Sequence, residues 1–154
     1  MLQDRTIIGW REWLAVPSLN IPAIKAKIDT GARTSALHAF FTERFNRGGE
    51  RMIRFGIHPL QNNNDFEIIC EAPIVDERIV TDSGGHSELR YVILAELSFQ
   101  NVTWTAEITL TNRDNMKFRM LLGRTALAGR FLVDSEASFC GGRALGKIYK
   151  KREE

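Results

Sequence analysis

The sequence predicts an all-β fold, a small barrel carrying one short helix. Three observations lead there. Apolar residues recur mostly at every second position, clusters of Gly, Asn, Asp, Ser and Pro punctuate those runs, and one stretch alone reads clearly as helix. The chain has 154 residues, 44% hydrophobic and 26% charged, which is enough for one domain with a core and too little for two of ordinary size. The barrel is expected over residues 1–146, followed by a charged tail over 147–154 that is solvated and frayed.

Along the chain, residues 23–28 read as a strand that runs into Asp29-Thr30-Gly31-Ala32. A glycine turn there presents a carboxylate at the mouth of a β-structure, where a water can be activated. Taken alone, Asp-Thr-Gly is also an ordinary Asx-turn in which Gly supplies positive φ. Residues 36–45 carry Leu37, Phe40, Phe41 and Phe45 at spacings that suit a helix, and a bent strand equally well. In 51–57, Ile53, Phe55 and Ile57 alternate with Arg54 and Gly56; in 66–71, Phe66, Ile68 and Cys70 alternate with Glu67 and Glu71. Between these two strands, His58-Pro59 and Asn62-Asn63-Asn64-Asp65 form a loop and hairpin turn.

Residues 73–81 and 89–97 are the arms of a further hairpin, turned by Asp82-Ser83-Gly84-Gly85-His86-Ser87. The clearest strand is 102–110, where Val102, Trp104, Ala106, Ile108 and Leu110 alternate with Thr103, Thr105, Glu107 and Thr109. Met120-Leu121-Leu122-Gly123 is an apolar strand ending in Gly. A short helix runs from Arg124 to about Ala128 and stops at Gly129.

Composition narrows the function classes. A net charge of +2 with scattered basic residues gives little support to nucleic-acid binding, which needs clustered cations. Cys70 and Cys140 lie far apart and form no Cys-x-x-Cys, so a disulfide framework and a zinc knuckle are both disfavoured; both thiols are expected reduced and at least one buried. No secretory leader and no run of about 20 apolar residues is present, so a soluble, cytoplasmic protein with no membrane partner is expected.

Three blocks carry a family resemblance. They are Lys27-Ile28-Asp29-Thr30-Gly31-Ala32-Arg33-Thr34-Ser35-Ala36-Leu37-His38-Ala39, then Gly85-His86-Ser87-Glu88-Leu89-Arg90, then Leu110-Thr111-Asn112-Arg113 with Met116 and Phe118-Arg119-Met120-Leu121-Leu122-Gly123-Arg124. On these blocks the chain resembles a bacterial family of retropepsin-like domains, often labelled ATP-dependent zinc proteases. The likeness spans most of the chain in the family's order and departs at Tyr91, where the family usually has Pro. It implies a closed retropepsin-like barrel, favours strand for 36–45, and implies an aspartic endopeptidase.

Peptide hydrolysis by carboxylates requires two of them sharing one proton, because like charges in contact cannot both ionise. Asp82, in Asp82-Ser83-Gly84, is the one internal candidate for the second. It lacks a downstream apolar-apolar-Gly partner and reads as a turn residue. The resemblance therefore implies a homodimer in which two copies of Asp29 meet on a twofold axis. On that reading the Thr30 hydroxyl bonds across the dyad, Gly31 offers its N–H to the carboxylates and Ala32 keeps the turn small. Leu121 and Leu122 pack beneath the turn, Gly123 permits a close chain crossing, and Arg124 supports the barrel and its dimer. Ser83, Gly84 and Gly85 form a flap tip closing over an extended substrate.

The expected partners are a second copy and a peptide or protein substrate. Some relatives accompany ATP-grasp glutamate ligases that modify a ribosomal protein, which makes that modified protein a candidate substrate. The competing reading is a non-catalytic peptide-binding or scaffolding module on the same fold. No cofactor is expected: His38, His58 and His86 are dispersed, with no His-Glu-x-x-His. Gly141-Gly142-Arg143-Ala144-Leu145-Gly146-Lys147-Ile148 fails as a phosphate loop because Ile148 stands where Ser or Thr must ligate Mg²⁺. Local signatures of a Ser/His/Asp or Cys/His nucleophile are missing too.

Overall fold

Alternation governs the strand β2 (Arg11–Val16), where every second side chain is buried, so one face turns inward and the other toward solvent. It pairs antiparallel with β3 (Ile21–Ile28), and a 3-10 turn over Pro17–Leu19 joins them, closed by Asn20 at φ 57°. The computed structural model describes residues 5–112 and 116–149.

The remaining barrel strands are β4 (Ser35–His38), β9 (Ser87–Phe99), β10 (Val102–Thr111) and β11 (Met120–Leu122), numbered in chain order with β5 (Phe41–Arg47), β6 (Glu50–Ile57), β7 (Ile68–Pro73) and β8 (Asp76–Thr81). Pairing runs β10-β4-β11-β3-β2-β9, and β9 pairs back to β10, so the ring of six strands closes. Closure removes the open edges that a flat sheet would leave. Strand β8 hangs from the first half of β9 as a hairpin arm, in register from Asp76↔Val92 to Thr81↔Ser87. A second sheet, β5-β6-β7, covers the barrel. Its first hairpin turns at Gly48 and Gly49, whose φ values of 59° and 86° suit the tight turn that a two-residue hairpin loop needs.

Between the layers Ile24, Leu37, Ile53, Phe55, Ile57, Ile93, Leu97, Phe99 and Ile108 are buried in one continuous core. A two-stranded sheet adds Ile8 and Phe131 to this core: β1 (Thr6–Gly9) pairs in parallel with β12 (Phe131–Asp134), which follows the single turn of helix α1 (Arg124–Leu127). Among the described residues the fold is all-β, with α1 its short α-helical turn.

Several boundaries differ from expectation for physical reasons. The stretch 36–45 is two strands: the Ala39 N–H bonds to the Thr111 carbonyl and the Phe40 N–H to the Gly56 carbonyl, so the chain leaves the barrel for the second sheet there. Residues 58–67 form a long loop, with β7 starting at Ile68, which pairs with Ile57 at the end of β6; within the loop His58 stacks on Phe40 at 4.1 Å. The arm expected over 73–81 is split, β7 ending at Pro73 and β8 beginning at Asp76. The ordered chain also continues past 146. A 3-10 turn spans Ala144–Lys147, and Tyr149, 2% exposed, donates its hydroxyl to the Ala23 carbonyl inside the barrel wall. The tail residues 150–154 lie outside the described residues, as do 113–115 of the third sequence block. Cys70 is buried, Cys140 is exposed, and neither is in a disulfide. No described helix is long and apolar enough to cross a membrane.

Candidate functional site

Asp29 follows β3 directly and is held from both sides. The Ile28 N–H donates to the Trp10 carbonyl at 2.8 Å, and the Asp29 N–H to the Leu122 carbonyl at 2.9 Å, where β3 and β11 run parallel with Leu122 beside Ile28. Within the turn, the Gly31 N–H donates to Asp29 Oδ1 at 3.0 Å and the Ala32 N–H to the Asp29 carbonyl at 3.3 Å. The first bond fixes the carboxylate's direction and the second closes the turn. It is half-buried at the base of a groove, while Thr30 is exposed beside it.

Beneath the turn the chain crosses itself. Gly123 donates its N–H to Ser35 Oγ at 3.0 Å, and Arg124 and Thr125 donate theirs to the carbonyls of Ala32 and Arg33 at 2.7 and 3.1 Å. A Cβ on Gly123 would stand 2.6 Å from the carbonyl carbon of Thr34, so only Gly permits this crossing. The Arg124 side chain reaches back to donate to the Thr30 carbonyl at 3.0 Å.

Ser35 extends the support. Its carbonyl accepts the Thr109 hydroxyl at 3.0 Å, that hydroxyl accepts Arg90 Nη1 at 3.3 Å, and Arg90 Nε donates to Glu88 at 3.1 Å. Thr111 donates to the same Glu88 carboxylate at 2.9 Å. A polar ladder therefore runs from the flap arm through β10 to the floor of the Asp29 turn.

The groove has a volume of about 580 Å³ and is lined by Asp29, Gly31, Ala32, Arg33, Thr34 and Leu121 below and by Thr81, Asp82 and Ser83 of the hairpin, with Arg90 and Met116 also on its wall. Of the expected site residues, Asp29, Gly31, Ala32, Ser83 and Leu121 thus share one cavity. Thr30 lies beside it, Leu122 and Gly123 lie buried under it, and Arg124 holds the turn. Gly84 and Gly85, expected to contact substrate, are off the lining. Asp82 explains this: its Oδ1 accepts the N–H of Gly84 and of His86, both at 2.9 Å, and its carbonyl accepts the Gly85 N–H at 3.1 Å, so the tip amides are engaged within the turn. Asp82 is a turn residue, as its sequence context indicated.

Sequence reasoning gave no role to Arg33, Ser35, Arg90, Thr109 or Met116. Arg33, Ser35, Arg90 and Met116 lie inside the quoted blocks, which was the available signal; Thr109 precedes the third block and had none. Among the described residues no group of three or more His, Cys, Asp or Glu is placed to hold a metal ion. His38 is buried in β4, and burial together with the charge of Arg119 depresses the His58 pKa.

Comparison with known proteins shows the family. Residues 7–143 match the RimB-like family, described as the retropepsin-like aspartic endopeptidase RimB. The chain belongs to that family. RimB-like sequence also lies within longer proteins. The chain is 47% identical over 142 residues to a protein of Shewanella pealeana named probable alpha-L-glutamate ligase, covering 92% of this chain and 31% of that protein. A Desulfotalea psychrophila protein of the same name is 43% identical over 159 residues, covering 99% of this chain and 34% of that one. The chain thus spans about a third of the length of these curated relatives. A crystal structure of a Legionella pneumophila protein superposes with TM-score 0.74 at 24% identity, covering 90% of this chain and 99% of that one, a likeness of fold.

Proposed function

We propose that this RimB-like chain is an aspartic endopeptidase working as a homodimer, in which Asp29 and the Asp29 of a second copy activate one water. One carboxylate takes a proton as the water oxygen attacks the peptide carbonyl carbon, and the other gives its proton to the carbonyl oxygen. Collapse of that adduct breaks the C–N bond, and the amine leaves protonated. The observation that carries this reading is Asp29 itself, fixed by the Leu122 carbonyl and the Gly31 N–H at the base of a groove roofed by a hairpin.

A second copy is needed because the other carboxylate on the lining, Asp82, is bound up in its own turn. A surface that suits association is present as well. Ile7 and Leu132 face each other in register on the β1–β12 pair and are 46% and 50% exposed.

The substrate class is an acidic peptide. Arg33 makes no ion pair among the described residues and stands on the groove wall with Arg90. Relatives named for ligation of glutamate contain a RimB-like segment in the same polypeptide, which supports a substrate bearing added glutamates, a modified ribosomal protein included. The same names favour a second reading, in which the groove holds a peptide for a ligase without cutting it.

Purified protein incubated with glutamate-rich and neutral peptides, beside Asp29→Asn and a chelator control, separates the readings. Cleavage of acidic peptides that is lost in Asp29→Asn and indifferent to chelator is the expected result, and addition of excess Asp29→Asn chain should suppress the wild type by forming mixed dimers. Full cleavage by Asp29→Asn sinks the proposal; binding without cleavage by the wild type establishes the second reading.

A further inference from the structure

Outside the groove, three aromatic rings seat a group of cations that make no ion pair among the described residues. Arg11 lies over Trp10 and Phe139, its Cζ 4.7 and 4.8 Å from their centroids, and Arg143 lies over Phe139 at 4.6 Å. The ammonium of Lys25 lies 5.5 Å from the Trp13 ring and 5.9 Å from Phe139. It donates to Gln61 Oε1 at 2.9 Å, and Gln61 in turn donates to the Lys117 carbonyl at 3.0 Å, which brings in a fourth cation.

None of the four makes an ion pair among the described residues, although the chain has 19 acidic residues to 21 Lys and Arg. Glu12, on the same strand as Arg11, points to the opposite face, where its oxygens accept the N–H groups of Gly9, Cys140 and Gly141. The cost of the grouping shows at Lys25, whose pKa is depressed by burial and then by the charges of Arg11, Arg143 and Lys117. A second cost shows at Phe139, held at φ 54°, a conformation that bulky side chains rarely adopt. Repulsion between like charges kept at one surface is relieved when an anion binds there.

We infer that the outer face of β2 and β3, with the loop carrying Phe139 and Arg143, anchors an acidic stretch of a peptide whose neighbouring residues occupy the Asp29 groove. This rests on the groove being a peptide site. Position connects the two. Arg11 pairs in register with Lys27, two residues before Asp29, and Lys117 directly follows Met116, which lines the groove. A chain leaving the groove past Met116 passes the segment that carries Lys117. The rings already seat the cations, three of them on Phe139, whereas a stacking platform for bases needs open ring faces. A guanidinium presents a planar fork of N–H donors, which matches carboxylates in pairs.

The test measures binding and not cleavage. Fluorescence anisotropy follows a labelled peptide, half neutral and half glutamate-rich, on full-length Asp29→Asn protein. Reversal of two exposed cations, Lys117→Glu with Arg143→Glu, should weaken binding by about tenfold or more and flatten its salt dependence, while Lys117→Arg with Arg143→Lys retains it. Thermal unfolding of the reversed variant should match its parent. Unchanged affinity in the folded reversal variant overturns the inference. So does tighter binding of an oligouridylate of equal charge that is lost in the same variant, which would make the surface one for nucleic acid. If the groove reading fails instead, the neutral half adds nothing to affinity and no peptide is cleaved, yet the acidic half still binds and still depends on Lys117 and Arg143.

Discussion

The amide of Asp29 donates to the carbonyl of Leu122 across 2.9 Å, so a strand from late in the chain fixes a carboxylate from early in it. The site is therefore assembled only by the complete barrel. Anything that shifts β11 moves the catalytic candidate.

Gly123 is the first place to see this. A methyl group there would lie 2.6 and 2.7 Å from the backbone carbon and oxygen of Thr34, atoms that cannot rotate aside. Gly123→Ala is expected to destabilise the fold by about 1–3 kcal/mol, as overpacking does, and to abolish peptide cleavage even where the protein remains folded. Urea titration beside a cleavage assay checks both. A variant with parental stability and activity would show that the crossing is looser than its contacts indicate.

Ser35 carries the hydroxyl that satisfies the Gly123 N–H, and it is fully buried. Ser35→Ala leaves that N–H without a partner in the barrel wall, a loss of about 1–3 kcal/mol. Thr109→Val removes the next rung, the hydroxyl between the Ser35 carbonyl and Arg90. Because both belong to one ladder, the double variant should lose less than the two single losses combined, and a double-mutant cycle in urea measures the coupling. Simple additivity would mean that the rungs act independently.

Much of this site was legible in the residues. Val102, Trp104, Ala106, Ile108 and Leu110 alternate strictly because β10 buries one face, and that pattern needs no tertiary knowledge. The Asp29 turn and the Leu121-Leu122-Gly123 strand were legible as separate pieces, and their resemblance to a family supplied the idea that they pack together. What stayed hidden was tertiary. The pairing of Thr6–Gly9 with Phe131–Asp134 leaves Ile7 and Leu132 exposed, so neither strand shows a clean alternation. Likewise, no local pattern shows that Ala39 is where the chain changes sheets, because that follows from which carbonyls, Thr111 and Gly56, await its amides. The role of Arg90 was masked for the same reason: its partners, Glu88 apart, come from a different strand.

Glu12 is a buried carboxylate with three amide donors: Gly9 and Cys140 at 2.7 and 2.8 Å on Oε2, and Gly141 at 3.1 Å on Oε1. It ties the start of the barrel to the loop before the terminal 3-10 turn. Glu12→Gln offers one acceptor oxygen and turns an NH₂ toward at least one of those donors. A loss of about 2–4 kcal/mol is expected, above that of a neutral hydrogen bond, because charge-assisted bonds are replaced by a donor–donor clash. Thermal or urea unfolding of the variant tests it, and a loss under about 0.5 kcal/mol, within the range of an ordinary surface change, would contradict the arrangement.

Cys70 supplies a prediction in pH. Its thiol is buried against the Leu19 carbonyl, 3.5 Å from Sγ, and burial pushes its pKa from the ordinary 9.0 up to about 12. In the native protein the thiol keeps its proton where the unfolded chain has lost it, so above pH 9 the folded state binds more protons than the unfolded one. The stability this group contributes is complete below the unfolded value and is lost as pH rises through the folded one. Urea unfolding at rising pH should therefore show the parent losing its advantage over Cys70→Ala between about pH 9 and 12, since the variant has no thiol to titrate. A thiol reagent at neutral pH should modify exposed Cys140 in the native protein and reach Cys70 only after denaturant is added. Equal labelling of both cysteines in the native state would place Cys70 at the surface, outside the core beneath β7.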